Sequence, residues 1–227
     1  MKKITFAIAL LTLLQACDKE KTETKTLPVL SVSEVLDADV TFTSFMVSGS
    51  VSHDKNAITE RGVCYSKSPN PKVTDTKIPT TTSNFKLEVP NLDVNTKYYI
   101  KTYAIVGAET FYSEKEMVKN TLSLAGTTWN FAFTYYPTNP TSPAVNWNGD
   151  VSFNANGTTK YDEPANPGLY LLYGTYTLAG NSINYIMEAP GNSGYVLVGK
   201  INGKTMSGTF NGGPPTKPNI WTATPKK

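Results

Sequence analysis

From about residue 28 onward, apolar and polar residues alternate with a period of two, the pattern of half-buried strands. Phe45, Val47, Gly49 and Val51 alternate with Met46, Ser48 and Ser50. The stretches RGVCYS, NFKLEV, KYYIKTYAIV and ETFYSEKEM follow, separated by turn clusters such as SKSPNPK and PNLDVNT. About seven strands within residues 28–121 predict a β-sandwich. After Thr121 the composition changes: ten charged residues remain to the C-terminus, against thirteen asparagines. Alternation there predicts eight strands, at 127–136, 146–154, 158–163, 169–178, 182–188, 194–201, 204–210 and 219–224. Eight sequential strands suggest an antiparallel meander, whose closure into a barrel removes its exposed edges.

The connections in the second half alternate in character. Asn154-Ala155-Asn156-Gly157, Ala179-Gly180-Asn181 and Asn202-Gly203 are tight hairpin turns, in which Asn and Gly supply positive φ. The other four, PTNPTSPA, EPANPG, APGN and NGGPPTKP, are longer and rich in proline. In an up-and-down barrel, alternate connections lie at opposite ends. One end is then closed and the other is a mouth ringed by long loops, where binding residues tend to sit. Val145, Trp147, Val151 and Phe153 share one face of their strand, and Trp129, Phe131, Phe133 and Tyr135 form a similar line. Near the mouth lie Tyr135, at the end of the first strand, and Trp147, at the start of the second, while Met187 and Tyr195 flank the fifth-to-sixth connection. Together the four are candidate ligand-binding residues, an aromatic and sulfur-containing rim for an apolar or sugar-ring ligand. The competing reading is that all four are packed core or cap, since an eight-stranded barrel can be filled by its own side chains.

The N-terminus changes the picture of where such a molecule sits. Lys2 and Lys3 precede an apolar run, Ile4–Leu14, that is too short for a transmembrane helix and the right length for a signal-peptide core. Leu14-Gln15-Ala16-Cys17 resembles the bacterial lipobox, which implies cleavage before Cys17 and diacylglycerol modification of its sulfur. Several acyl chains on one residue make release from a membrane negligible. Residues 1–16 are thus expected to be a lipoprotein signal peptide and residues 17–27 a lipidated flexible linker. Its polar part, DKEKTETKTL, reaches at most about 33 Å when extended. A charged stretch directly after the cysteine resembles the surface-export signals of some outer-membrane lipoproteins. The expected location is the outer membrane, lipid-anchored and facing outward.

Removing residues 1–16 leaves 19 basic against 18 acidic side chains, and Arg61 is the only arginine. Such a balance gives no electrostatic footprint for nucleic acid. Of the two cysteines, only Cys64 lies in the expected folded part, so core burial rather than a disulfide must hold it.

Two further resemblances concern the folded part. Leu92-Asp93-Val94-Asn95-Thr96-Lys97-Tyr98, followed by alternating Ile100, Thr102 and Ala104, resembles the tyrosine corner of fibronectin type III domains. Gly62-Val63-Cys64-Tyr65-Ser66 and Ser68-Pro69-Asn70-Pro71 are similar to a stretch of fibronectin type III-like modules in bacterial surface lipoproteins, although Ser113 stands where that family often has glycine. The resemblance covers residues 28–121 and implies a spacer or adhesion module without catalytic residues. Residues 122–227 resemble lipocalin-like modules of bacterial lipoproteins, through Gly126-Thr127-Thr128-Trp129 and Met206-Ser207-Gly208-Thr209. One residue is inserted in the usual opening motif, and Asn219-Ile220-Trp221 replaces Gly-Thr-Trp. The expected fold class is therefore all-β: a fibronectin type III-like sandwich followed by an eight-stranded antiparallel up-and-down, lipocalin-like barrel.

No credible catalytic constellation accompanies these elements. Residues 122–227 contain no His, Cys or Arg. Asp162 and Glu163 are adjacent, so in a strand they point to opposite faces and cannot form a glycosidase pair. His53 and Cys64 read as a loop histidine and a buried thiol, and nothing supplies further metal ligands beside His53. Asp37 and Asp39 read as a solvated loop, and Asn156-Gly157-Thr158 as a hairpin turn rather than a glycosylation site. The expectation is a membrane-tethered binding protein without catalytic, metal or cofactor sites. Its partner would be a small apolar or carbohydrate ligand, or else a protein on a purely structural spacer.

Overall fold

The computed structural model describes residues 26–53, 58–139, 141–188, 194–214 and 217–226. The expected leader, Cys17 and the expected linker up to residue 25 lie outside the described residues. The described residues are all-β, with one short 3-10 turn at Asp37–Asp39. Eight strands make the first half: β1 (Val29–Val32), β2 (Phe45–Ser52), β3 (Ile58–Ser66), β4 (Thr76–Thr80), β5 (Asn84–Val89), β6 (Lys97–Val106), β7 (Glu109–Tyr112) and β8 (Met117–Asn120). They form two antiparallel sheets, one ordered β1-β2-β5 and one ordered β4-β3-β6-β7, with β8 also paired to β6. Alternation explains the packing. In β2 the residues Phe45, Val47 and Val51 are buried, and they share a core with Val63 of β3 and Ile100 and Ala104 of β6.

The stretch ETFYSEKEM does not run as one strand. It breaks after Tyr112, because the buried Ser113 turns inward and takes over the pairing with β6. Its amide donates to Thr102 O (2.8 Å) and its hydroxyl oxygen accepts from Thr102 N–H (3.1 Å). At the start of β6, the Tyr98 phenol oxygen accepts the Asp93 amide proton (3.0 Å), and Leu92 is buried beside it. Asp37 and Asp39, expected in a solvated loop, sit in the 3-10 turn and pair with Lys119 (2.5 Å) and Lys86 (2.9 Å).

The second half is a closed barrel. Its strands are β9 (Thr127–Tyr135), β10 (Val145–Phe153), β11 (Thr158–Asp162), β12 (Leu172–Ala179), β13 (Ser182–Glu188), β14 (Tyr195–Asn202), β15 (Thr205–Phe210) and β16 (Asn219–Pro225). Each pairs antiparallel with the next, and β16 closes onto β9, as in Trp221↔Phe133. Positive φ in the three tight turns is carried by Gly157, Gly180 and Gly203, not by the asparagines. The asparagine side chains instead tie the turn down, as where Asn156 Oδ1 accepts from Thr158 N–H and Oγ1–H. The strand expected to begin at residue 169 begins at Leu172. Asp162 Oδ1 accepts from Gly168 N–H (2.9 Å), and turn bonds from Asn166 N–H to Glu163 O and from Leu169 N–H to Asn166 O wind residues 163–170 into a loop.

The barrel interior is occupied by side chains. Phe131 stacks on Phe133 (5.7 Å between centroids) and on Trp221 (5.2 Å), and Phe153 and Tyr185 close around it. Along β9 and β10 burial declines toward the long loops: in β9, Trp129, Phe131 and Phe133 are buried and Tyr135 is half-buried. In β10, Phe153 and Val151 are buried, Trp147 is half-buried and Val145 is 51 % exposed.

The tight-turn end is closed by the sandwich. Phe42 and Val94, from sandwich loops, are buried members of the barrel core. Phe42 N–H donates to Gly203 O (3.2 Å), Gly203 N–H to Thr43 Oγ1 (2.7 Å) and Val94 N–H to Gly180 O (3.3 Å). The connection 121–126 is pinned as well, with Leu122 N–H on Thr41 O (3.0 Å) and Leu124 buried in the barrel. The start of β2 therefore faces the barrel. Val29 pairs with Ser52 at the far end of β2, so the chain enters the sandwich at the end away from the barrel. With about 3.3 Å of rise per residue, that separation is roughly 23 Å along the strand.

Candidate functional site

The open end of the barrel holds a pocket of about 320 Å³ lined by Trp147, Tyr161, Glu163, Tyr170, Leu172, Met187 and Tyr195. Each lining residue is placed by strand alternation or by a loop. Trp147 continues the inward line of β10, Tyr161 and Leu172 face each other across β11 and β12, and Met187 pairs with Tyr195 across β13 and β14. Tyr161 and Met187 are buried and form the floor. The wall is braced from below by Phe133 and Phe210. Trp147 stacks on Phe133 at 5.0 Å and 11°, and Tyr195 meets Phe210 edge-on at 5.9 Å. Such a cup lies in aromatic packing rather than in a hollow barrel, and one face of Trp147 is already covered.

The floor depends on an absent side chain. Gly149 sits between Trp147 and Val151 on the inward line, and a Cβ there would lie 1.9 Å from Tyr161 Cε2. The missing side chain lets the Tyr161 ring lie across the barrel and reach Glu163. Its phenol donates to Glu163 Oε1 at 3.0 Å. Burial is the main cause that raises the Tyr161 phenol above the ordinary tyrosine range, with the Glu163 hydrogen bond and charge adding to it. Tyr161 therefore stays protonated at neutral pH and acts as a donor. Glu163 is the one charged residue in the lining.

Below the floor, the Thr159 and Tyr185 hydroxyls are buried and have no hydrogen-bond partner among the described residues. Burial raises the Tyr185 phenol above the ordinary tyrosine range too.

The mouth loops are held by asparagines. Asn219, fully buried, accepts from Tyr136 N–H through Oδ1 (2.8 Å) and donates through Nδ2 to Asn211 O (2.9 Å). Asn211 in turn accepts from Val196 N–H (2.8 Å) and donates to Gly194 O (3.2 Å). Beside the cup, a cleft of about 380 Å³ lies among Tyr136, Asn139, Ser142 and Lys217, with Lys217 Nζ 4.1 Å from the centre of the Tyr136 ring.

Of the four candidates expected from the sequence, Trp147, Met187 and Tyr195 line the pocket. Tyr135 packs against the barrel core and is not among the lining residues. Four lining residues escaped the sequence reading. Tyr161 and Leu172 carried an available signal, since alternation puts both inward near strand ends. Tyr170 was assigned to a strand that starts two residues later, and Glu163 was judged only as a partner for Asp162.

Elsewhere, Cys64 is buried in β3 and donates weakly to Pro71 O (3.5 Å), and burial pushes its thiol up to about 11. Among the described residues no group of three or more His, Cys, Asp or Glu is placed to hold a metal ion. Comparison with protein-family models, curated proteins and solved structures finds no match to this chain.

Proposed function

We propose that this chain is a bacterial lipoprotein, held by a lipid on Cys17 at the outer face of the outer membrane, and that it is a binding protein rather than an enzyme. The cup at the barrel mouth takes a small apolar or sugar-like group. The observation that supports this reading is the order of parts along the molecule. The chain enters the sandwich at the end away from the barrel, the sandwich covers the barrel's tight-turn end, and the aromatic cup opens at the opposite end. A tether at Cys17 then holds the cup away from the membrane. In the same reading the sandwich is a fibronectin type III-like spacer, supported by the Tyr98–Asp93 hydrogen bond, and the barrel is a lipocalin-like unit whose interior is filled.

Filled barrels also serve as pure structure, and the packed interior supports a second reading: an adhesion spacer that meets only protein partners. Fluorescence titration of the full chain in detergent separates the two. Fatty acids, haem and oligosaccharides form the panel, and the Trp147→Phe variant isolates the signal of the cup. A saturable change that Trp147→Phe abolishes supports binding in the cup, and silence across the panel supports the spacer. The tether is tested separately. Cys17→Ser should lose palmitate labelling and leave the membrane fraction, and a variant that still sediments with membranes would overturn the anchor.

A further inference from the structure

We infer that the cup selects an organic cation, a small molecule carrying an alkylated ammonium group, over a neutral ring of the same shape. The inference rests on the reading of the cup as a binding site and deepens it. Four of the seven lining residues are aromatic, Trp147, Tyr161, Tyr170 and Tyr195, one is the soft and polarizable Met187, and one is the carboxylate of Glu163. Among the described residues no lysine, arginine or histidine lines the pocket. Aromatic faces carry negative potential and attract cations within about 6 Å of their centres, most strongly when desolvated, and cages of this composition suit methylated ammonium groups.

Glu163 makes the sign of the ligand specific. Tyr161 holds one carboxylate oxygen at 3.0 Å. Among the described residues the other oxygen has no hydrogen-bond partner and no ion pair neutralises the group. A neutral ring that covers Glu163 removes water from an uncompensated charge, which is costly. An ammonium group placed there meets the charge and the aromatic faces together. The volume agrees, since about 320 Å³ is at the lower end of small-molecule sites and fits a head group rather than a long chain. The same mouth already holds one such contact within the chain, that of Lys217 over Tyr136. The frame is preorganised, because Phe133 and Phe210 fix the orientation of Trp147 and Tyr195 before any ligand arrives.

The test compares choline and tetramethylammonium with dimethylbutanol, the uncharged carbon isostere of choline, by calorimetry and tryptophan fluorescence on the full chain. Choline should bind at least tenfold more tightly than its isostere. Glu163→Gln should reduce that gap to about twofold, by weakening choline and by tightening the isostere, which no longer covers a charge; an unchanged far-UV circular dichroism spectrum and Tm show that the variant folds. Tyr170→Leu, in an exposed loop, should weaken choline several-fold without lowering the Tm. Equal affinity for choline and isostere, or a gap that survives Glu163→Gln, overturns the inference and leaves the cup as a neutral binding site. Saturable sugar binding with no choline binding does the same. Silence toward ammonium compounds, isostere, sugars and fatty acids alike overturns the cup itself.

Discussion

The Phe42 ring of the sandwich lies 5.1 Å from the Trp129 indole of the barrel, centroid to centroid and tilted by 58°. One side chain thus belongs to a loop of the first unit and to the core of the second. Together with Val94 and the backbone bonds to Gly180 and Gly203, it couples the two units through buried apolar surface, so each loses a boundary when the other unfolds.

Phe42→Ala should therefore destabilise the barrel although the residue lies in the sandwich. The expected cost is about 3–5 kcal/mol, the range for truncating a buried phenylalanine. All three tryptophans are in the barrel, so their fluorescence in a denaturant titration reports on that unit alone. The wild type should show one transition by both fluorescence and far-UV circular dichroism. An unchanged fluorescence midpoint in Phe42→Ala would show that the units are independent.

Gly149→Ala tests the floor of the cup. The added methyl group would meet Tyr161 Cε2 at 1.9 Å and its hydroxyl oxygen at 2.5 Å, so the ring must move. Overpacking of this kind costs about 1–3 kcal/mol. A lower Tm and a loss of the Tyr161–Glu163 contact, seen as a changed tyrosine resonance, are expected. A variant with wild-type Tm and spectrum would mean that the ring has room to spare.

Two tyrosine hydroxyls in the barrel should respond in opposite ways to removal. Tyr161→Phe loses a hydrogen bond to a carboxylate and should cost about 1.5–3 kcal/mol. Tyr185→Phe removes a buried hydroxyl that has no partner among the described residues, so it should be neutral or stabilising. Urea unfolding of the two variants side by side measures the difference. A clear destabilisation in Tyr185→Phe would reveal a bond to that hydroxyl.

Stability should fall steeply in alkali. Burial raises the phenols of Tyr103, Tyr161 and Tyr185, and the carboxylates of Glu60 and Glu163 add to the effect on the first two. In the unfolded chain these groups titrate near pH 10. Above that pH the unfolded state binds fewer protons than the folded one, so the stabilisation present below about pH 10 is lost as pH rises toward the folded values. Absorbance of tyrosinate should show exposed tyrosines ionising first and these three ionising only with unfolding. Three smooth, early titrations in a still-folded protein would contradict their burial.

The thiol of Cys64 gives a simpler check. Buried and raised to about 11, it should resist a thiol reagent at neutral pH and react at once in denaturant.

Most of the barrel was legible in residue order, because a period of two and glycine-marked turns are local signals. The eight strands fall within a few residues of their expected bounds, and the alternation of tight and long connections places all the tight turns at one end. The largest misplacement, at residues 169–171, arose because Leu169 and Tyr170 continue the apolar pattern of β12. The Asp162–Gly168 bond, between residues six apart, pulls them into a loop instead. That loop carries Tyr170 to the cup. Asn219, which looked like a departure from a familiar motif, proves to be the buried clasp of the mouth loops, a role set by contacts with residues 136 and 211.

Alternation along a strand is a property of the backbone and needs no neighbours, so strands, their inward faces and the polarity of the barrel follow from the order of residues alone. Whether an inward side chain ends as core, floor or rim depends on how far others reach across the barrel, as Tyr161 does over Gly149. That outcome, like the burial of Phe42 in the neighbouring unit, is a matter of packing between residues distant in the chain. Volume and contact in three dimensions settle it, and no local pattern encodes either.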